Sequence, residues 1–144
     1  MAYTFQVTFD STEPHALADW WADALGWEVE PSDEKFIRGQ IEAGHATEED
    51  TTTHRGTLVW KAGAAIRHPD GLPGSPRVLF QFVLEPKQVK NRVHLDVRTG
   101  DDDPLALVER LLANGATHLH EGRQGPYRWT TLTDPQGNEL CVSH

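Results

Sequence analysis

Apolar residues recur along this chain with two spacings, and the two alternate in an order that repeats. Phe5-Gln6-Val7-Thr8-Phe9-Asp10 alternates strictly, with Phe5, Val7 and Phe9 on one side and Gln6, Thr8 and Asp10 on the other, the period of a half-buried β-strand. Ser11-Thr12-Glu13-Pro14 reads as a helix start, with a hydroxyl able to cap and an acid and proline in the first turn. Over residues 15–25 the spacing becomes helical: Leu17, Trp20, Trp21, Ala24 and Leu25 form one stripe, and Gly26 stops it. Trp27-Glu28-Val29-Glu30 then predicts a short strand ending at Pro31.

Residues 32–55 break the pattern. Ser32-Asp33-Glu34-Lys35 can cap a second helix with Phe36, Ile37 and Ile41 on its apolar side, and 45–55 is polar enough to be a loop. Thr57-Leu58-Val59-Trp60-Lys61 resumes as a strand, Ala64-Ala65-Ile66-Arg67 begins another, and residues 68–74 are rich in turn formers. Arg77-Val78-Leu79-Phe80-Gln81-Phe82-Val83-Leu84 is a strand too apolar to be an exposed edge.

The order then starts again. Asn91-Arg92-Val93-His94-Leu95-Asp96-Val97-Arg98 alternates, with Val93, Leu95 and Val97 opposed to Arg92, His94, Asp96 and Arg98. Asp101-Asp102-Asp103-Pro104 is a second acid-and-proline helix start, followed by an apolar stripe of Leu105, Leu107, Val108, Leu111 and Leu112 and by Asn114-Gly115. A strand at 117–120, a loop at 122–127, a strand at 129–132, a tight turn at 134–138 and a last strand at 139–142 complete the copy. Strand–helix–strand–strand–strand therefore occurs twice, and an internal duplication decides the fold class: α+β, with two βαβββ modules.

Length and charge narrow the partners. At 144 residues the chain suits one domain, with module one at about 3–86 carrying a helical insertion at 32–55, and module two at about 91–144. A formal charge of −9 argues against a nucleic-acid or anionic-membrane surface. The start lacks a basic region followed by an apolar core, so no signal peptide is expected, and no apolar run approaches membrane-spanning length. The lone Cys141 rules out an internal disulfide and fits a reducing cytoplasm.

Candidate chemistry is sparse. His94 is read as a pocket-lining residue, with general-base work tuned by Asp96 or Arg92 as its alternative. Cys141 reads as an inert buried thiol, since nothing nearby in sequence clearly lowers its pKa. Trp60, Trp129 and Tyr127 can wall a flat ligand or serve as core. His118-x-His120 places two imidazoles on one face of a regular strand. His45 and His54 are read as solvated loop residues, and Lys87, Lys90 and Arg92 as a solvated linker between modules, with attraction for an anionic ligand as the alternative.

The segments Ala18-Asp19-Trp20-Trp21 with Leu25-Gly26-Trp27-Glu28-Val29, Glu85-Pro86-Lys87 through Asn91–Asp96, and Asp134-Pro135-Gln136-Gly137-Asn138-Glu139 resemble the glyoxalase-like domains of the vicinal oxygen chelate superfamily. That superfamily includes glyoxalase I, extradiol dioxygenases, and fosfomycin and bleomycin resistance proteins. The resemblance implies a cup-shaped, partly open barrel of mixed β-sheet with the helices outside and a ligand in the cup. It places Gln6 and His94 at the first-strand ligand positions and Gln81 and Cys141 at the last-strand ones. Those four are expected to converge on the cup floor, with Glu139 on the Cys141 face. Because two of the four are amides, no cofactor is expected; a divalent metal, if bound, would sit on His94, Cys141 and Glu139.

The resulting expectation is a protein that sequesters or transforms a small organic ligand. Its site residues are Gln6, Gln81, His94, Cys141, Trp60, Trp129 and Glu139, with His94 as the catalytic candidate. The alternative is a metal-dependent lyase, isomerase or dioxygenase of the same superfamily. A cytoplasmic homodimer is expected, the insertion covering either the cup or a second subunit.

Overall fold

The computed structural model describes residues 1–71 and 73–144; Leu72, in the expected turn-rich stretch, lies outside them. The chain divides into two compact units, Met1–Glu85 and Pro86–His144.

In the first unit, strand β1 (Val7–Ser11) leads into helix α1 (Pro14–Leu25), which is followed by the short β2 (Glu28–Val29). The helix ends where Gly26 adopts φ 66°, a left-handed conformation that costs glycine little. Helix α2 (Glu34–Glu42) follows, with the Asp33 carboxylate accepting from the Phe36 N–H at 3.0 Å. Only one of its expected apolar residues is fully used: Ile37 is buried and Phe36 is exposed.

The sequence expectation of a loop through residue 55 is corrected here. After a 3-10 turn at Glu48–Asp50, strand β3 (Thr51–His54) pairs antiparallel with β4 (Thr57–Trp60) as a separate two-stranded hairpin. The turn is Arg55-Gly56, with φ of 50° and 77°, the doubly positive pattern of a tight hairpin. Three threonines in β3 supply β-branched side chains suited to strand geometry; their polarity had concealed it. The excursion therefore runs on past residue 55.

The module resumes with β5 (Gly63–Arg67) and β6 (Val78–Phe82), giving a sheet ordered β1-β6-β5-β2 with β1 parallel to β6 and the other pairs antiparallel. Helix α1 covers one face of it. Leu17, Ala18 and Trp21 meet Ile66 and Phe80 there, all nearly inaccessible, and Phe9 stacks between Trp21 at 5.4 Å and Phe80 at 5.3 Å.

The second unit repeats the order: β7 (Leu95–Val97), α3 (Pro104–Ala113), β8 (Thr117–Gln124), β9 (Tyr127–Thr133) and β10 (Glu139–Ser143) form a sheet ordered β7-β10-β9-β8. Neither sheet closes into a barrel. Two expectations change. Strand β7 has three residues instead of eight, and Val93 is 79% exposed, because the chain before it is held by other bonds, described below. The expected 122–127 loop is mostly strand, since β8 and β9 stay paired out to Gln124 and Tyr127.

Candidate functional site

Helix α3 packs on one face of the second sheet, where Leu132, Leu140 and Val142 are fully buried. Strand alternation therefore sends Glu139, Cys141 and Ser143 of β10 to the opposite face, together with Thr131 and Trp129 of β9, the register partners of Cys141 and Ser143. That face forms a hollow of about 400 Å³, bounded by His94, Asp96, His120, Trp129 and Cys141 among others.

The centre of the hollow is three side chains. Cys141 lies opposite Asp96 in the parallel register of β7 and β10, and His94 precedes Asp96 by two residues. Their ligand-type atoms all fall within 4.8 Å of one another. The His94 Nδ1–H donates to Asp96 Oδ1 at 2.8 Å, which leaves Nε2 as the other, separate functional atom of the ring. Thr131 Oγ1 is 3.4 Å from Cys141 Sγ. Burial pushes the Cys141 thiol above its ordinary range and the Asp96 carboxylate reinforces the shift, against the Thr131 hydroxyl and the Lys90 charge. A protonated thiol is a hydrogen-bond donor and a poor nucleophile.

Glu139 borders the same hollow, but its carboxylate is already partnered. It is 9% exposed, and its carboxylate accepts from the Asn91 N–H at 3.0 Å and pairs with Lys87 Nζ at 3.3 Å. Burial opposes its ionisation, but the Asn91 and Lys87 hydrogen bonds prevail and hold its carboxyl below the usual range. This staple fixes residues 87–91 against β10 and explains why β7 starts late. The group whose donor atoms lie close together is His94, Asp96 and Cys141, whereas the expected set had Glu139 in place of Asp96. Imidazole, carboxylate and thiolate together fit a borderline ion such as zinc, which in such a site would polarise a ligand oxygen.

The two histidines of His118-x-His120 do not share a face. A bulge at Leu119 separates them, so His118 registers with Leu132 while His120 registers with Thr131. His120 joins the hollow, and His118 pairs with Glu121 at 2.8 Å. Glycine placement matters as well: a Cβ on Gly122 would fall on the indole of Trp129, its cross-strand neighbour. The bare backbone is what lets that ring lie across β8.

Gln6 and Gln81 belong to the first unit and are not together. Gln81 registers with Asp10 on β1, four residues beyond Gln6, or about 13 Å of strand. Gln6 instead accepts from Arg77 Nη1 at 3.1 Å, the same guanidinium that grips Glu30 at 2.8 and 2.9 Å. In the second unit the spacing from Cys141's partner Asp96 back to His94 is two residues, so by register Thr8, not Gln6, corresponds to His94. Gln81 borders a separate, open hollow of about 970 Å³ with Trp60, His45, Lys61 and Phe82. Lys61 sits 5.5 Å from the Phe82 ring centre there. The hairpin rim of that hollow is docked on α1 by His54 Nε2–H to Asp19 Oδ2 at 2.7 Å and by the His15 Nε2–H to the Trp60 carbonyl at 2.8 Å. Sequence reading weighed Lys90 and His120 without placing them in the site and passed over Thr131, all three of which line the second-unit hollow.

The glyoxalase-like domain family matches residues 6–143. The chain belongs to that family. No curated protein matches it significantly. Among solved structures it resembles a glyoxalase family protein from Bacillus cereus (15% identity, TM-score 0.60, 99% of this chain and 93% of that one). It is also similar to a genomically encoded fosfomycin resistance protein from Listeria monocytogenes (10%, 0.61, 99% and 93%), and to an oxidase (15%, 0.60, 99% and 93%). At these identities the likeness establishes the fold alone, and a shared fold does not select a reaction.

Proposed function

We propose that this glyoxalase-like chain binds a small organic molecule in the second-unit hollow and sequesters or transforms it without requiring a metal. The carrying observation is the hollow itself: about 400 Å³, with one flat aromatic wall, Trp129, and convergent polar groups on His94, Asp96 and Cys141. Concave, partly apolar sites with a few aimed polar groups are where small ligands bind. His94 is the residue placed to act on a ligand, its ring oriented by Asp96.

A second reading has its own support. The three donor atoms within 4.8 Å favour a metal-dependent lyase, isomerase or dioxygenase built on His94, Asp96 and Cys141. Elemental analysis of untagged protein purified without chelator separates the two, combined with a fragment screen by ligand-observed NMR before and after EDTA. Fragments that compete with one another, shift the Trp129 indole signal and survive EDTA support the first reading. Stoichiometric metal whose removal abolishes fragment binding replaces it with the second.

A further inference from the structure

We infer that the second-unit hollow selects an anionic ligand, a small planar carboxylic acid whose acid group is held by Lys90 and whose flat body lies on Trp129. This rests on the binding role proposed for that hollow and adds the ligand's charge and shape.

Three observations carry it. First, the acids bordering the hollow are already engaged: Asp96 by the His94 Nδ1–H at 2.8 Å and Glu139 by Lys87 and the Asn91 N–H. Lys90 borders the same hollow, and no carboxylate of the described residues is paired with it. Its ammonium gives one hydrogen bond, to the Asn91 carbonyl at 3.2 Å, out of three it can donate.

Second, Lys90 does not belong to a loose linker. Glu139 ties down Lys87 through its side chain and Asn91 through its backbone, so the segment is stapled on both sides of Lys90. A carboxylate buried in β10 thereby positions a cation at the rim without touching the ligand. From the sequence, Lys87, Lys90 and Arg92 fitted a solvated linker better than an anion-attracting group; the staple singles out Lys90 as the lysine held at the hollow.

Third, the volume and walls suit a ligand with one charged end. A hollow of about 400 Å³ is near the lower end for small-molecule sites, and Trp129 is fixed flat across Gly122. Aromatic bodies stack on such a surface, while the ammonium supplies a charge-assisted hydrogen bond to the acid.

The test uses 2-naphthoate, its neutral isostere 2-naphthamide and the cation 2-naphthylmethylammonium. Affinities are measured by calorimetry at low ionic strength, and the indole resonance of Trp129, assigned with Trp129→Phe, locates the contact. The expected result is naphthoate at least tenfold tighter than naphthamide, with the Trp129 signal shifted. Lys90→Gln should remove that preference. Glu139→Gln, which releases the staple, should weaken naphthoate more than naphthamide. Equal binding of acid and amide, or an unaltered preference in Lys90→Gln, overturns the anion selection while the binding role stands. A preference for the ammonium overturns it in favour of Asp96 as the counter-ion. No binding of any probe at millimolar concentration overturns both.

Discussion

Single residues on this chain divide sharply between those that build the core and those that were only near it in the pattern. Trp20 and Trp21 sit on one helical stripe, yet Trp21 is 1% exposed and packs between Phe9 and Trp20 at 5.4 and 5.3 Å, while Trp20 is half-buried. Trp21→Ala should cost about 3–5 kcal/mol, and Leu111→Ala, which empties a site 1% exposed on α3, about 2–5 kcal/mol; Trp20→Ala should cost clearly less than Trp21→Ala. Denaturant titration checks all three. Glu139 gives a pH prediction. Its folded pKa lies below the ordinary value of 4.5, so its contribution to stability is complete above that value and is lost as pH falls through the folded pKa. Glu139→Gln should therefore destabilise the protein at pH 7 by about 1–3 kcal/mol. The gap between variant and parent should narrow towards pH 3, as measured by urea melts at both pH values. Sequence parity placed Glu139 on the right face. It could not say that Lys87 and Asn91 claim the carboxylate, because that contact joins positions 52 and 48 residues apart.

At the scale of elements, periodicity found the three α-helices and the two four-stranded sheets, and it failed where bonding departs from the regular period. Strand β7 shrank because residues before it are bonded to Glu139 and not to a neighbouring strand. The threonine-rich β3 was hidden by its polarity, and the bulge at Leu119 reversed the face of one histidine relative to the other. A repeat of two presumes uninterrupted pairing, so a single extra residue defeats it. The site suffered in the same way: register moved the counterpart of His94 from Gln6 to Thr8. Two predictions belong here. Gly122→Ala should push the Trp129 indole off β8, since the new methyl would occupy the ring's place; the expected outcome is a displaced Trp129 indole resonance and weaker ligand binding, with Trp129→Phe partly restoring stability. Asp19→Asn removes the charge that pairs with His54 at 2.7 Å and Arg55 at 3.1 Å. Hydrogen exchange should then quicken in β3 and β4 and stay unchanged in β1, β5 and β6, because the hairpin forms its own sheet.

For the whole molecule, two features pull in opposite directions. A formal charge of −9 sets copies of the chain against each other at low salt. Against this, Phe36, Leu84, Val89 and Val93 are 56%, 82%, 80% and 79% exposed, and association would remove such apolar area from water. Phe36 is the most informative of them, because α2 spends its one buried position on Ile37 and presents Phe36 outward. We expect the apolar term to prevail once salt screens the charge, giving a homodimer of twice the 16.1 kDa chain mass. Sedimentation velocity at micromolar protein should then show the dimer fraction rising between about 10 mM and 0.5 M salt as the screening length shortens. Phe36→Asp should lower that fraction at every salt concentration without changing the monomer's melting midpoint, since an exposed side chain contributes little to folding. A monomer at both salt extremes would show that these residues are simply solvated.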